Sequence, residues 1–322
     1  MINRPLVVTF LLCLCGSGLA PMPTIESAEA AEGSCARTKR GYRCMYGPFT
    51  VTEGISSLDF QAATIPRAGF ITRGRVTVVD DAGNPVSGHH VHLHHSAWLD
   101  PTTPSLLCKG WPGSLVYMSS KERSRMRFPD GYGFYWKNIA PDPSLEAESE
   151  TGAPYWRFVA DLMGMHAGME EEVFLRLSFS FKGEDAALEP VQTEFLSINH
   201  CRSPHTFDVV VGSGTDGRYR RSIDFEWPED GRFVWGTGHL HDGGIKLSVQ
   251  NVTRGERVYV SRALYTDRSD PWWLTGMTTW SSAEGSLVAG GDVMRLTATY
   301  DSTHDWDDVM GNLRITYTSS EP

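Results

Sequence analysis

The sequence predicts an all-β chain, built as two tandem antiparallel β-sandwiches of jelly-roll-like type behind a removable leader. Three observations predict it. Segments of alternating apolar and polar residues recur at Arg75 to Val79, Val173 to Phe181, Phe207 to Val211, Phe233 to Trp235, Ile245 to Val249, Arg257 to Ser261, Val293 to Tyr300 and Leu313 to Thr318. Each is rich in β-branched or aromatic residues, and turn-forming clusters such as Asp81-Ala82-Gly83-Asn84-Pro85 and Glu229-Asp230-Gly231 bound them. No long stretch keeps a helical apolar stripe, and the roughly 290 residues behind the leader exceed what one core usually organises.

At the N-terminus, Arg4 precedes an apolar run from Leu6 to Cys15 and a small-residue tract ending Ser27-Ala28-Glu29-Ala30-Ala31. This is the layout of a secretory signal peptide, residues 1–30, with an Ala-x-Ala cleavage site near Ala30. The run is short for a bilayer span, which takes about 20 apolar residues. The expected product is secreted or periplasmic, without a stable membrane span; an uncleaved anchor is the exception. Cys13 and Cys15 follow leucines, which disfavours a lipid anchor. The first sandwich is expected over 31–211 and the second over 221–322, joined by the small, polar Gly212-Ser213-Gly214-Thr215-Asp216-Gly217. Pro141 to Pro154, acidic and proline-bearing, reads as an exposed loop, and Asn251-Val252-Thr253 fits the glycosylation pattern.

Cleavage leaves Cys35, Cys44, Cys108 and Cys201, an even set that admits three disulfide pairings in an oxidising compartment. The expected pairs are Cys35 with Cys44, closing a short loop, and Cys108 with Cys201, a long-range tie; four buried thiols are the alternative. None has CxxC spacing. Cleavage also removes one basic and two acidic residues, taking the formal charge from -10 to -9. An acidic chain without a basic stripe is not expected to bind nucleic acid. The absence of GxSxG, HExxH and phosphate-loop motifs leaves a serine hydrolase or kinase without support.

Histidine is the residue that stands out. Of eleven in the chain, five fall within GHHVHLHHSA: His89, His90, His92, His94 and His95. Val86 to His95 reads as a strand leaving a turn, which would project His90, His92 and His94 on one face at about 7 Å spacing. His94 and His95 would then face opposite ways, so their joint use as ligands requires a β-bulge or strand end. The alternative is an exposed edge that titrates near the ordinary histidine pKa of about 6.5.

A second cluster lies in DGRFVWGTGHLHDGG, where His239 and His241 share one face among Gly236, Gly238, Gly243 and Gly244. Met310 is expected in an acidic loop between two strong strands, beside Asp307, Asp308 and Gly311. A thioether joined to two imidazoles is a soft donor set that suits Cu(I). His304 and Asp305 to Asp308 lack EF-hand spacing and read as the loop that positions Met310.

The order of a strand, His239-x-His241, glycines, further strands, a Gly-Asp-led strand, then Asp-Val-Met310 and Asn-Leu before a last strand, resembles copper type II, ascorbate-dependent monooxygenases over about residues 222 to 318. These include peptidylglycine alpha-hydroxylating and dopamine beta-monooxygenases. The resemblance implies that His239, His241 and Met310 hold the copper at which oxygen and substrate react. It also implies that His94 and His95 belong to a second, electron-supplying copper. That site's third histidine has no counterpart in VFLRLSFSF (173–181), leaving it incomplete, with His166, His200 and His205 as substitutes and His92 and His90 as extra ligands. Nearly the whole mature chain also resembles the stress-up-regulated nodulin family, through YGPFTV (46–51), VVDDAGNPVSGHHVHLHHS (78–96), SSKERSRMRFPDGYGF (119–134) and GHLHDGG (238–244).

Two expectations follow. One is a secreted enzyme with up to two coppers that hydroxylates a C–H bond of a small-molecule or peptide substrate, drawing electrons from ascorbate or another reductant. The other is a non-catalytic secreted binding or structural protein that keeps at most one copper.

Overall fold

The computed structural model describes residues 34–61, 65, 67–100, 103–108, 113–120, 125–137, 157–201, 205–266 and 273–320. The expected signal peptide with Cys13 and Cys15, and the acidic segment 141–154, lie outside them. In the first half the strands are β1 (Ser34–Thr38), β2 (Gly41–Thr52), β3 (Gly54–Gln61), β4 (Gly69–Val79), β5 (Val91–Asp100), β6 (Ser114–Ser120), β7 (Met126–Arg127), β8 (Tyr132–Trp136), β9 (Arg157–Gly164) and β10 (Glu170–Gly183). The second half adds β11 (Glu189–Ser197), β12 (Thr206–Val209), β13 (Arg218–Glu226), β14 (Gly231–Leu240), β15 (Gly244–Asn251), β16 (Glu256–Tyr265), β17 (Leu274–Met277), β18 (Thr279–Val288), β19 (Val293–Asp301) and β20 (Trp306–Ser319). The chain is all-β, as its alternation predicts. In β9, RFVADLMG, every second residue is buried, the signature of a strand with one face on a core. Among the described residues no helix is long and apolar enough to cross a membrane.

One ladder, β3-β9-β5-β6-β11-β20-β14-β18, runs through both halves. Against its first part pack β2, β10 and β4, burying Tyr46, Phe158, Leu175 and Trp98. Against its second part packs β13-β19-β15-β16-β17, burying Leu247, Leu296, Tyr300 and Leu313. The result is two sandwiches that share a continuous layer. The second core also takes Leu196, Ile198, Phe207 and Val209, while Val191 on the same strand stays in the first core, so the chain crosses from one core to the other within β11.

The shared layer is thinnest where β6 meets β11, through the single pair Thr193 and Leu115. Both disulfides form as expected, and one of them, Cys108–Cys201, ties the β5–β6 connection to the end of β11 near this joint. Buried Glu194 accepts hydrogen bonds from Ser105 Oγ and the Leu106 N–H, each at 2.8 Å. Leu106 and Leu107 reach onto the second core.

Three local expectations are corrected. Residues 88–90 form a turn, with the His90 and Val91 N–H groups bonded to the Ser87 carbonyl, and β5 starts only at Val91, so His90 is not on the strand. Met310 lies inside β20, because β12 pairs with this stretch from the other side and Asp208 accepts the Asp308 N–H at 3.0 Å. Asn251 is buried and its amide donates to Asp292 at 2.8 Å, which removes it as a glycosylation acceptor.

Candidate metal centre

His94 and His95 enter the site through a β-bulge. Across the β5–β9 ladder the register steps from Leu93 opposite Leu162 to His95 opposite Asp161, leaving His94 as the extra residue. A bulge turns neighbouring side chains to one side, and the two rings lie 4.0 Å apart between centroids. This is the irregularity that joint ligation requires.

His239 and His241 need no irregularity, since alternate residues share a strand face. Gly238 lets the chain pass close to its neighbours, because a Cβ there would stand 2.7 Å from Leu247 Cδ1. Gly243, at φ +78°, turns the chain where a Cβ would collide with the Trp306 indole. The Tyr300 hydroxyl continues the ladder past Leu240: it accepts from the His241 N–H at 2.9 Å and donates to the Met310 carbonyl.

The two pairs meet. His95 Nε2 and His239 Nε2 are 3.0 Å apart, and one ring nitrogen from each of His94, His95 and His241 lies within 4.8 Å of the others. Ring centroids are 5.3 Å apart for His94 and His241 and 5.2 Å for His239 and His241. In a flat sheet, β5 and β14 would stand four strand spacings apart, about 19 Å. Contact between their side chains therefore means that the shared layer bends sharply, and the single-pair β6–β11 joint is where it is free to do so. The histidines that the resemblance divides between two coppers thus stand together as four neighbouring imidazoles, with His239 joined to the other three through His95 and His241.

The cluster suits a metal on three counts. Two nitrogens bound at about 2.0–2.1 Å to one tetrahedral ion stand about 3.3 Å apart, close to the His95–His239 separation. Nδ1 of His94 is buried with no hydrogen-bond partner among the described residues, a state that costs free energy unless something supplies a partner. Burial, reinforced by His95 and His239, pushes the His94 pKa down to about 3, so the ring is neutral and keeps a lone pair.

Asp161 orients His95. Its Oδ2 is 3.3 Å from His95 Nδ1, while Oδ1 accepts from Ser57 Oγ at 2.7 Å. Burial opposes ionisation of Asp161, yet the bonds from His95 and Ser57 outweigh it and hold the carboxyl below the usual range. A carboxylate on Nδ1–H fixes the tautomer and leaves Nε2 as the donor atom. Sequence reading missed Asp161 and Tyr300: each lies on an alternating strand, as a charge in one and an aromatic in the other, and neither carries a local signal.

The remaining expected residues separate. Met310 shares the sheet face of His239 and Asn312, with its sulfur 3.4 Å from the Asn312 amide nitrogen. It lines, with His95, an apolar cavity of about 460 Å3 walled by Leu99, Leu115, Val159 and Phe195. His205 lines the same cavity, and burial lowers its pKa. His90 lies outside the cluster: its Nε2 is 2.5 Å from Glu171 Oε1, and its ring is tilted against that of His166, with centroids 5.2 Å apart. His92 and His94 line a second cavity of about 490 Å3. His200 sits beside Cys201, lining a small cleft.

No family model matches the chain, and no curated protein does. Among solved structures it is similar to the major capsid protein P2 from Bacteriophage PM2, at 11% identity over 84% of this chain and 94% of that one, with a TM-score of 0.37. It is also similar to the STIV MCP, at 8% identity over 91% and 98%, with a TM-score of 0.35. At such identities and scores the likeness assigns the chain no function.

Proposed function

We propose that this is an exported copper-binding protein in which His94, His95, His239 and His241 hold one ion between the two sandwiches. The observation that carries the reading is the convergence of two imidazole pairs from distant parts of the chain onto one space. Imidazoles alone suit zinc, copper, iron or nickel; a thioether, Met310, on the wall of the cavity that His95 also lines favours copper among them. Export is supported by the leader pattern and by two disulfides.

A second reading, hydroxylation of a bound substrate with O2 and ascorbate or another reductant, is favoured by the apolar cavity that opens at His95. Its lining suits the hydrocarbon part of a neutral molecule.

The experiment is metal analysis of the mature protein after copper loading and desalting, with His94→Ala and His239→Ala in parallel. One copper per chain, lost in either variant, is the expected result. Two coppers lost separately would restore the two-site arrangement, and no copper in the wild type would end the metal reading. Ascorbate-dependent oxygen uptake by the loaded protein, stimulated by neutral apolar compounds, distinguishes an oxygenase from a binding protein.

A further inference from the structure

The two cavities beside the cluster share no lining residue and touch different imidazoles: the apolar one reaches His95, the other reaches His94, His239 and His241. We infer that the second cavity is a loading site for a soft monovalent cation, with His92, Met163 and Met165 as its donors and the four-imidazole cluster as the ion's destination. The inference rests on the copper reading above and adds the route by which the ion arrives.

The donors are placed by register. His92 stands directly opposite Met163 in the β5–β9 ladder, where facing Cβ atoms are about 4.5–5.5 Å apart. Met165 follows two residues on, with its N–H bonded to the His90 carbonyl at 3.1 Å, and lines the same cavity. His92 donates through Nδ1 to the Gly88 carbonyl at 3.3 Å, so its Nε2 carries the lone pair. Neither methionine belongs to a hydrophobic core, the usual place of such a side chain. Two thioethers and an imidazole form a soft set that selects Cu(I) over hard cations.

Electrostatics directs the ion to this side. Asp242, Asp305 and Asp307 line the cavity, and no Lys or Arg does among the described residues. A concave acidic surface raises the local concentration of cations. Two of these carboxylates also accept backbone N–H groups, Asp242 from Leu274 at 2.8 Å and Asp305 from Val211 at 2.6 Å, bonds to neutral donors that leave the negative charge of the wall in place. Transfer is a ligand exchange: thioether bonds to Cu(I) break as imidazole bonds form, and the oxidation state of copper does not change.

Two measurements test the inference. In the first, metal-free protein carrying His94→Ala and His241→Ala is labelled with 13C-methyl methionine and titrated with Ag(I), a redox-inert soft cation. The Met163 and Met165 methyl resonances, assigned through single Leu variants, are expected to shift first. In the second, Cu(I) is delivered as its bicinchoninate complex to wild type and to Met163→Leu/Met165→Leu, a change that conserves volume. The double variant is expected to load severalfold more slowly and to reach the same final copper content. An unchanged loading rate, or silver that moves neither methyl, overturns the inference. Wild type that retains no copper, while silver still moves both methyls, would remove the central cluster as destination and leave the soft-cation site standing.

Discussion

His94 and His95 reach the centre because their strand is broken, whereas His239 and His241 reach it because theirs is regular. On β14 the alternation of side chains delivers both imidazoles to one face, with His239 opposite Asn312 in the unshifted part of the ladder. On β5, neighbours in sequence share a face only through the bulge at His94. The difference teaches that adjacent ligands on a strand predict an irregularity, and that the irregular strand tolerates a change in length that the regular one does not. Deletion of Thr237, which is buried in the middle of β14, would move His239 and His241 into the core and Leu240 out of it, since a one-residue slip flips every side chain that follows. Deletion of His94 would leave His95 opposite Asp161, as it is now. The expected outcome is loss of soluble, cooperatively folding protein for the first deletion, and a folded protein without copper for the second, read by circular dichroism melts and metal analysis. Equal damage from both would show that the bulge is not a separable insertion.

A smaller effect distinguishes the bulge residue chemically. The folded-state pKa of His94, pushed to about 3 by burial and then by His95 and His239, lies below the ordinary histidine value. Between that value and pH 6.5 the unfolded chain binds more protons at this residue, so stability falls as the pH drops through this window. Full protonation of the unfolded chain would cost on the order of 5 kcal/mol, from about 1.36 kcal/mol per pKa unit. Urea midpoints of the metal-free protein between pH 6.5 and 4 should therefore fall, and fall less in His94→Gln. A variant as acid-sensitive as wild type would mean that His94 is already solvated.

The strands and the Cys35–Cys44 disulfide were legible because alternation and close cysteine spacing are local signals, and Cys108–Cys201 followed as the remaining pair. Val293 to Tyr300 and Leu313 to Thr318 lie inside β19 and β20 for that reason. The histidines were legible as candidate ligands, and the need for a bulge at His94 followed from the geometry of a strand. Their convergence was not legible, because it depends on the bend at the β6–β11 joint, where one residue pair connects the two parts of a long layer. Met310 was assigned to a loop from its acidic neighbours; β12 supplies the pairing that makes a strand of it, and that two strands about a hundred residues apart lie side by side carries no local signal. Asp161 could be recognised only once β9 was known to lie beside β5.

Asp161 gives the finest test of the comparison, since the two halves hold their imidazoles by different parts of the residue. His95 is oriented at its ring, by the Asp161 carboxylate, whereas His241 is fixed at its backbone, by the Tyr300 hydroxyl. A carboxylate on the far ring nitrogen raises the basicity of the donor nitrogen, and its removal typically costs about 10–100-fold in metal affinity. Asp161→Asn should lose copper affinity within that range, measured by competition with a Cu(I) chelator, while the protein unfolds at nearly the same temperature. Tyr300→Phe should do the reverse, lowering the unfolding temperature through the lost ladder bridge with a smaller change in affinity. If Tyr300→Phe weakened copper more than Asp161→Asn, backbone placement of His241 would govern the centre, and the regular strand would be the more demanding half.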